Sequence, residues 1–431
     1  MKILLGGIPL GCDNIGDEAI IACVVKMLKE SLPGVELTVA TADPATADLL
    51  GVNVVPPFGF AGRSLDGFGD AVRAHDAYIW CGATGLSDYP HVALDLLETA
   101  QKAGVATFVW GVGMDDELNP VFFKAKGKRR LALRCLGLLG WYERRLRDRL
   151  ARRIAAVLPR CKGVWLRDPQ SAEMLAQTGF PDACVAADTA ILLKDNIDLM
   201  SGRVDLGSGR VDLGSCRVGV GSCKAGVESC KAGVESCRDG VVSSRAGVES
   251  CNSNESLIDS KRPYSTLGLC ISTQRQVADL DGVRRMIAAV RAAGADVLGI
   301  PMNPKTDRRL LESLGVECIA GDTPEAVMEA AAQCDVVLSS RLHLLILAAN
   351  AGTPGIGIAR GSKLANWLAN FGESVAGSVR DCDWDNVTAR VLAALGRRGE
   401  WAAVRNAAYE RLSARLEKAR ADFAGRLASL P

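Results

Sequence analysis

The sequence predicts two doubly wound α/β domains joined by a low-complexity linker. Short apolar runs alternate with longer helical patterns on both sides of the middle of the chain, which implies mostly parallel sheets covered by helices. Between the two halves runs a seven-residue tandem repeat, too rich in glycine and serine to join either core. At 431 residues and 48% hydrophobic, the chain is long enough to bury two cores. These observations place an N-terminal domain over 1–195, the linker over 196–262, and a C-terminal domain with a helical tail over 263–431.

In the first half, the apolar run Lys2 to Gly7 reads as a strand. A Gly-rich turn and a helix from about Asp17 to Ser31 follow it. Strands fit Glu36 to Ala40, Val52 to Val55 and Ala77 to Trp80. A helix over Val92 to Ala103 leads to a strand at Ala106 to Trp110, and Gly163 to Leu166 and Ala183 to Ala186 add two more. In the second half, strands fit Thr266 to Ile271, Asp296 to Ile300, Glu317 to Ile319, Val336 to Leu338 and Gly355 to Ile358. Helices fit Asp281 to Ala293, Lys305 to Leu314, Pro324 to Gln333 and Leu342 to Ala351, and the tail Asn386 to Leu430 reads as helical.

Charge and composition exclude several classes. With 51 basic against 50 acidic residues, the chain is not a whole-protein nucleic-acid binder. No apolar run reaches the length of a transmembrane helix, and glycines break the first apolar stretch too early for a signal sequence. A cytoplasmic protein with reduced thiols is the expectation. Five of the fifteen cysteines belong to the repeat from Ser201, so their number reflects duplication. Glycine at that density costs a helix about 1 kcal/mol per site and opposes a coiled coil. Cys216, Cys223, Cys230 and Cys237 lack the paired spacing of zinc ligands, and no metal is expected.

The strongest local constellation is Ser339-Ser340-Arg341-Leu342-His343, at a strand's carboxyl end and a helix's amino end. Free backbone N–H groups and the helix dipole favour an anion there. Arg341 adds a planar fork for carboxylate or phosphate, and His343 a hydrogen-bond donor or general acid. Lys363 follows the next strand and sets another cation beside the same cleft. Arg167 follows a strand too, with Asp168 or Ser171 as local helix caps, and Asp188 ends a further strand. The first Gly-rich turn carries Asn14, Gly16 and Asp17, and lacks the spacing of a dinucleotide or P-loop site. Acids at that helix start suit the dipole and repel phosphate, so the turn fits sugar hydroxyls or the other domain. His75 and His91 stand alone and read as structural.

From Lys124 to Arg160, thirteen basic residues face two acidic ones, interleaved with leucines, Trp141 and Tyr142. Such a pattern is either a solvated helix face or an amphipathic surface for an anionic membrane or a lipid-pyrophosphate carrier.

Taken together, Ser339-x-Arg341-Leu342-His343, Gly352-x-Pro354 and Lys363 resemble the C-terminal signature of the polysaccharide pyruvyl transferases. Asn14-x-Gly16-Asp17-Glu18-Ala19, Arg167-Asp168-x-x-Ser171, the strand end at Asp188, and Pro301-Met302 with Asp307 resemble that family's other landmarks, in order. The resemblance implies two Rossmann-like domains in a GT-B-like arrangement, with the acceptor on the N-terminal side and phosphoenolpyruvate on the C-terminal side. It implies transfer of a pyruvyl group from phosphoenolpyruvate to two hydroxyls of a sugar, forming a ketal and releasing phosphate, with no cofactor beyond that donor. The acceptor would be a sugar or polyprenyl-linked glycan of a cell-envelope or exopolysaccharide precursor, met in the cytoplasm or at the inner face of the membrane.

By the same resemblance, Arg341 and Arg167 bind the donor and His343 binds phosphate or supplies the proton. Asp17 or Asp188 serves as base, while Lys363, Asn14, Gly16, Ser340 and Leu342 complete the substrate contacts. Two departures stand out: Cys81-Gly82-Ala83-Thr84-Gly85-Leu86 where the family often has a glycine triplet, and Ala359-Arg360-Gly361 where an aromatic often precedes the lysine. A nucleotide-sugar-dependent glycosyltransferase of the same fold and a non-catalytic family member are the competing readings.

Overall fold

Two parallel sheets with the same winding organise the chain. The computed structural model describes residues 1–116, 118–196, 265–272 and 277–431; the repeat segment lies outside them. The first sheet comprises β1 (Lys2–Gly6), β2 (Glu36–Ala40), β3 (Asn53–Val55), β4 (Ala77–Cys81), β5 (Ala106–Val112), β6 (Gly163–Leu166) and β7 (Cys184–Val185). Its strand order is β3-β2-β1-β4-β5-β6-β7. The second comprises β8 (Thr266–Cys270), β9 (Asp296–Gly299), β10 (Glu317–Cys318), β11 (Val336–Ser339), β12 (Gly355–Ala359) and β13 (Gly377–Ser378). Its order, β10-β9-β8-β11-β12-β13, repeats the first six positions of the other sheet. Both sheets therefore reverse direction at their centres, between β1 and β4 and between β8 and β11, where such folds open a crevice at the strands' carboxyl ends.

The central strands are continuous apolar runs because helices cover both faces. Every residue of β4 and β11 is buried. Leu5 pairs with Ile79 and Gly6 with Trp80, which brings the turns after β1 and β4 side by side. Ser339 pairs with Cys270, so Arg341 emerges beside the loop after β8.

The tail is two helices. Trp384–Ala394 ends before Gly396, whose left-handed φ of 73° suits the residue beyond a helix end, and Ala402–Ala428 follows a short 3-10 turn. The second of these helices leaves the C-terminal sheet and packs on the N-terminal one. At its start, Arg405 donates to the Ala349 carbonyl and Tyr409 donates to Asn350. Near its end, Phe423 stacks on Trp110 at 4.6 Å and meets Trp165 edge-on at 5.0 Å, while Arg420 pairs with Glu30 at 2.9 Å. The N-terminal half thus borrows part of its core from residues 402–428.

Candidate active site

Between the two sheets lies a cleft of about 510 Å³. Asn14 and Asp17 reach it from the start of the helix after β1, Arg167 from the end of β6, Arg341, Leu342 and His343 from the end of β11 and the helix start that follows, and Lys363 from the first turn of the helix after β12. Seven residues singled out in the sequence therefore share one cavity, because each follows a parallel strand at the same edge of its sheet. Asn303 and Arg360 join them, together with Thr84 and Asp88 beyond β4.

Arg341 is held rather than loose. Its Nε and Nη2 donate to the two carboxylate oxygens of buried Asp307 at 3.0 and 2.9 Å, a bidentate pair that fixes the plane of the guanidinium. Ser339 Oγ accepts from the Arg341 N–H at 2.8 Å and donates to its carbonyl, setting the backbone that opens helix Leu342–Asn350. Among the described residues no side chain caps that helix, whose start carries the partial positive charge of the helix dipole toward the cleft.

His343 crosses toward the other half. Its Nε2 lies 3.5 Å from Asp188 Oδ2, and Arg167 Nη1 lies 3.7 Å from the same oxygen. Burial would raise the Asp188 carboxyl, but His343 and Arg167 outweigh it and hold the group below the ordinary carboxylate range. Asp188 is therefore an anion placed beneath two cleft-lining groups, not a cleft-lining group itself. Among the described residues Arg167 Nη2 is buried with no hydrogen-bond partner, a donor whose burial costs free energy until an acceptor arrives. Gly113 makes room for it, since a Cβ there would collide with the guanidinium.

Asp17 differs from Asp188. Burial raises its carboxyl above the ordinary range, against the opposing pull of His343, Asn14, Lys363 and Arg341. Asn14 Nδ2 donates to its Oδ2 at 2.6 Å. Glu18, one residue on, is raised to about 7 by burial and by Asp17, Asp43 and Asp13. Lys363 is pushed down to about 8, chiefly by burial, with Asp88 opposing that shift.

Three other sequence candidates occupy different positions. Gly16 lies behind His343, where any Cβ would meet the imidazole. Ser340 is buried, its Oγ accepting from the Ser272 N–H at 2.9 Å, and does not line the cleft. Asp168 caps helix Pro169–Gln177 by accepting from Ser171 N–H at 2.7 Å, as its sequence position suggests. His75 bridges the Ala71 carbonyl and Thr38 hydroxyl, each at 2.9 Å, and His91 stacks on Phe123; both serve packing.

The sequence did not expose Asp115. Its carboxylate accepts from the Ser362 N–H at 2.7 Å and so caps, from the N-terminal half, the helix that carries Lys363. Gly361 allows this approach, since a Cβ there would strike Asp115. The acidic pair Asp115-Asp116 just past a strand end was the available signal. Among the described residues, no group of three or more His, Cys, Asp or Glu could hold a metal ion, and no helix is long and apolar enough to cross a membrane.

Paired doubly wound sheets with a cleft between them define a GT-B-type α/β protein. Solved structures of that fold agree. A UDP-GlcNAc 2-epimerase from Neisseria meningitidis bound to UDP-GlcNAc superposes with a TM-score of 0.52 at 11% identity, over 99% of this chain and 100% of that one. The glycotransferase of kitacinnamycin gives 0.50 at 12% identity, over 100% and 99%. The UDP-GlcNAc 2-epimerase from Methanocaldococcus jannaschii gives 0.50 at 9% identity, over 91% of each. No curated protein matches the chain. The chain belongs to the polysaccharide pyruvyl transferase family, whose model matches residues 14–214 and 284–362, and that family is a family of transferases.

Proposed function

We propose that the protein transfers the pyruvyl group of phosphoenolpyruvate to two hydroxyls of a sugar, as a ketal, on a cell-envelope or exopolysaccharide precursor at the cytoplasmic side. The observation that carries this reading is the convergence of Arg167, Arg341, His343, Arg360 and Lys363 on one cleft that also holds a buried carboxyl of raised pKa. A small, triply charged donor suits that density of cations and the uncapped helix start.

In this reading Arg341, kept planar by Asp307, and Arg167 hold the carboxylate and phosphate of the donor, with Lys363 closing on the phosphate. His343, kept in place by Asp188, delivers a proton to the donor's methylene carbon. One hydroxyl attacks the resulting cationic carbon, phosphate leaves with its C–O bond electrons, and the second hydroxyl closes the ketal. Of the two hydroxyl protons, one replaces that given to carbon and the other leaves with phosphate, so the sum is donor plus diol giving ketal plus hydrogen phosphate. Asp17 suits the accepting role, because it lines the cleft and a raised pKa makes a carboxylate a stronger base. Asp188, screened from the cleft and held ionised, suits orientation.

A thermal-shift panel tests the donor. Phosphoenolpyruvate should raise the melting temperature, and Arg341→Ala should abolish that rise in a folded protein. Stabilisation by a nucleotide-sugar alone would replace this reading with a glycosyltransferase. Acceptor-dependent phosphate release then tests the chemistry.

A further inference from the structure

The basic stretch past β5 forms a helical hairpin, Gly127–Cys135 followed by Leu139–Val157. The first helix buries no residue, and the second buries only Leu150, Ile154 and Val157, toward its far end. The tip therefore stands clear of the core. There Leu131, Leu136, Leu138 and Trp141 are 65, 69, 43 and 51% exposed. Trp141 is the one exposed tryptophan among the described residues. These apolar groups sit among exposed Lys128, Arg130, Arg134 and Arg144, and Arg145 lies over the Trp141 ring at 5.3 Å.

A merely solvated helix face would keep its large apolar groups covered. A nucleic-acid surface would have no use for three bare leucines. Apolar side chains and an indole at a tip ringed by cations match the boundary of a lipid bilayer carrying negative headgroups, where apolar groups enter the acyl edge and basic groups meet phosphate. The charge is local, since the whole chain is nearly neutral while residues 124–160 carry thirteen basic against two acidic residues. We infer that the hairpin tip docks the protein on an anionic membrane surface. The segment Asn119–Val121, which lines the cleft, lies a few residues ahead of the hairpin, so docking holds the cleft mouth near the headgroups.

Flotation of the full chain with lipid vesicles tests this without relying on catalysis. Vesicles with about a quarter phosphatidylglycerol should bind at least about tenfold more protein than phosphatidylcholine alone, with most of that binding lost in about 0.5 M salt. Lys128→Glu/Arg130→Glu/Arg134→Glu should abolish the preference, and Leu136→Ser/Trp141→Ser should weaken binding about tenfold, both with unchanged melting temperature and unchanged stabilisation by phosphoenolpyruvate. Equal binding to neutral and anionic vesicles, or wild-type binding by both variants, would overturn the inference. So would preferential binding to duplex DNA, or self-association through the tip, in place of vesicle binding.

Discussion

Replacing Gly16 by alanine tests whether His343 must stand where the structure sets it. The added Cβ would lie under 3.0 Å from Nδ1, Cγ and Cβ of His343, closer than real Cβ atoms approach. The ring cannot retreat freely, because Asp188 Oδ2 waits 3.5 Å from its Nε2. Ordinary contact needs 3.4–4 Å, so ring or helix must give by about 1 Å, a misplacement that costs an oriented site about a hundredfold in rate. Stability moves less. Overpacking costs about 1–3 kcal/mol. Alanine in place of glycine within a helix returns up to about 1 kcal/mol. Gly16→Ala should therefore lose no more than about 3 kcal/mol in denaturant unfolding while kcat/KM for phosphate release falls about a hundredfold. In a His343→Gly background, which removes the Cβ as well as the ring, the same substitution should become neutral or stabilising, since the clash is gone. Full activity in Gly16→Ala, or an unchanged stability cost in the double variant, would refute the packing argument.

Four further outcomes follow from the same geometry. If protonated Lys363 binds the donor, the KM for phosphoenolpyruvate should climb above pH 8, and Lys363→Arg should remove that alkaline limb. Without ligand the sign reverses: from about pH 8 to about 10 the unfolded chain keeps a proton the folded one has lost, so the unliganded protein should gain stability as pH rises through that window, seen by thermal melts. Asp307→Asn breaks the buried bidentate pair and should cost about 3 kcal/mol together with a clear rise in KM for the donor; an unchanged KM would show that Arg341 needs no positioning. Phe423→Ala empties the stack on Trp110 and should cost about 3–5 kcal/mol in denaturant unfolding, with donor affinity preserved.

Much of the fold was legible because parallel central strands are written as unbroken apolar runs, as in β4 and β11. The cationic half of the cleft was legible for a related reason: Arg167, Arg341 and Lys363 each follow such a run, and strand ends converge in this architecture. Pairings across the halves left no local trace. Asp115 caps a helix 247 residues later, and the acidic pair at that strand end does not say which helix it serves. Asp188 looked like a base and turned out to lie beneath His343 and Arg167. Gly16 looked like part of a turn, but the reason for a glycine there is an imidazole from the other sheet. Ser340 belonged to the best motif yet faces Ser272 rather than the cleft. Motif spacing locates the edge of a sheet; which side chains turn into the crevice depends on what packs behind them.

The helix Ala402–Ala428 makes the order of synthesis differ from the order of assembly. The N-terminal sheet emerges first, but Trp110, Trp165 and Phe108 do not meet Phe423 until nearly the whole described chain exists. The earliest half must wait for the latest helix before its aromatic face is covered. Severing the chain between the sheets would then yield a first fragment with a bare aromatic surface. A circular permutant that carries residues 402–428 ahead of Met1 would restore that surface's cover within a single fragment.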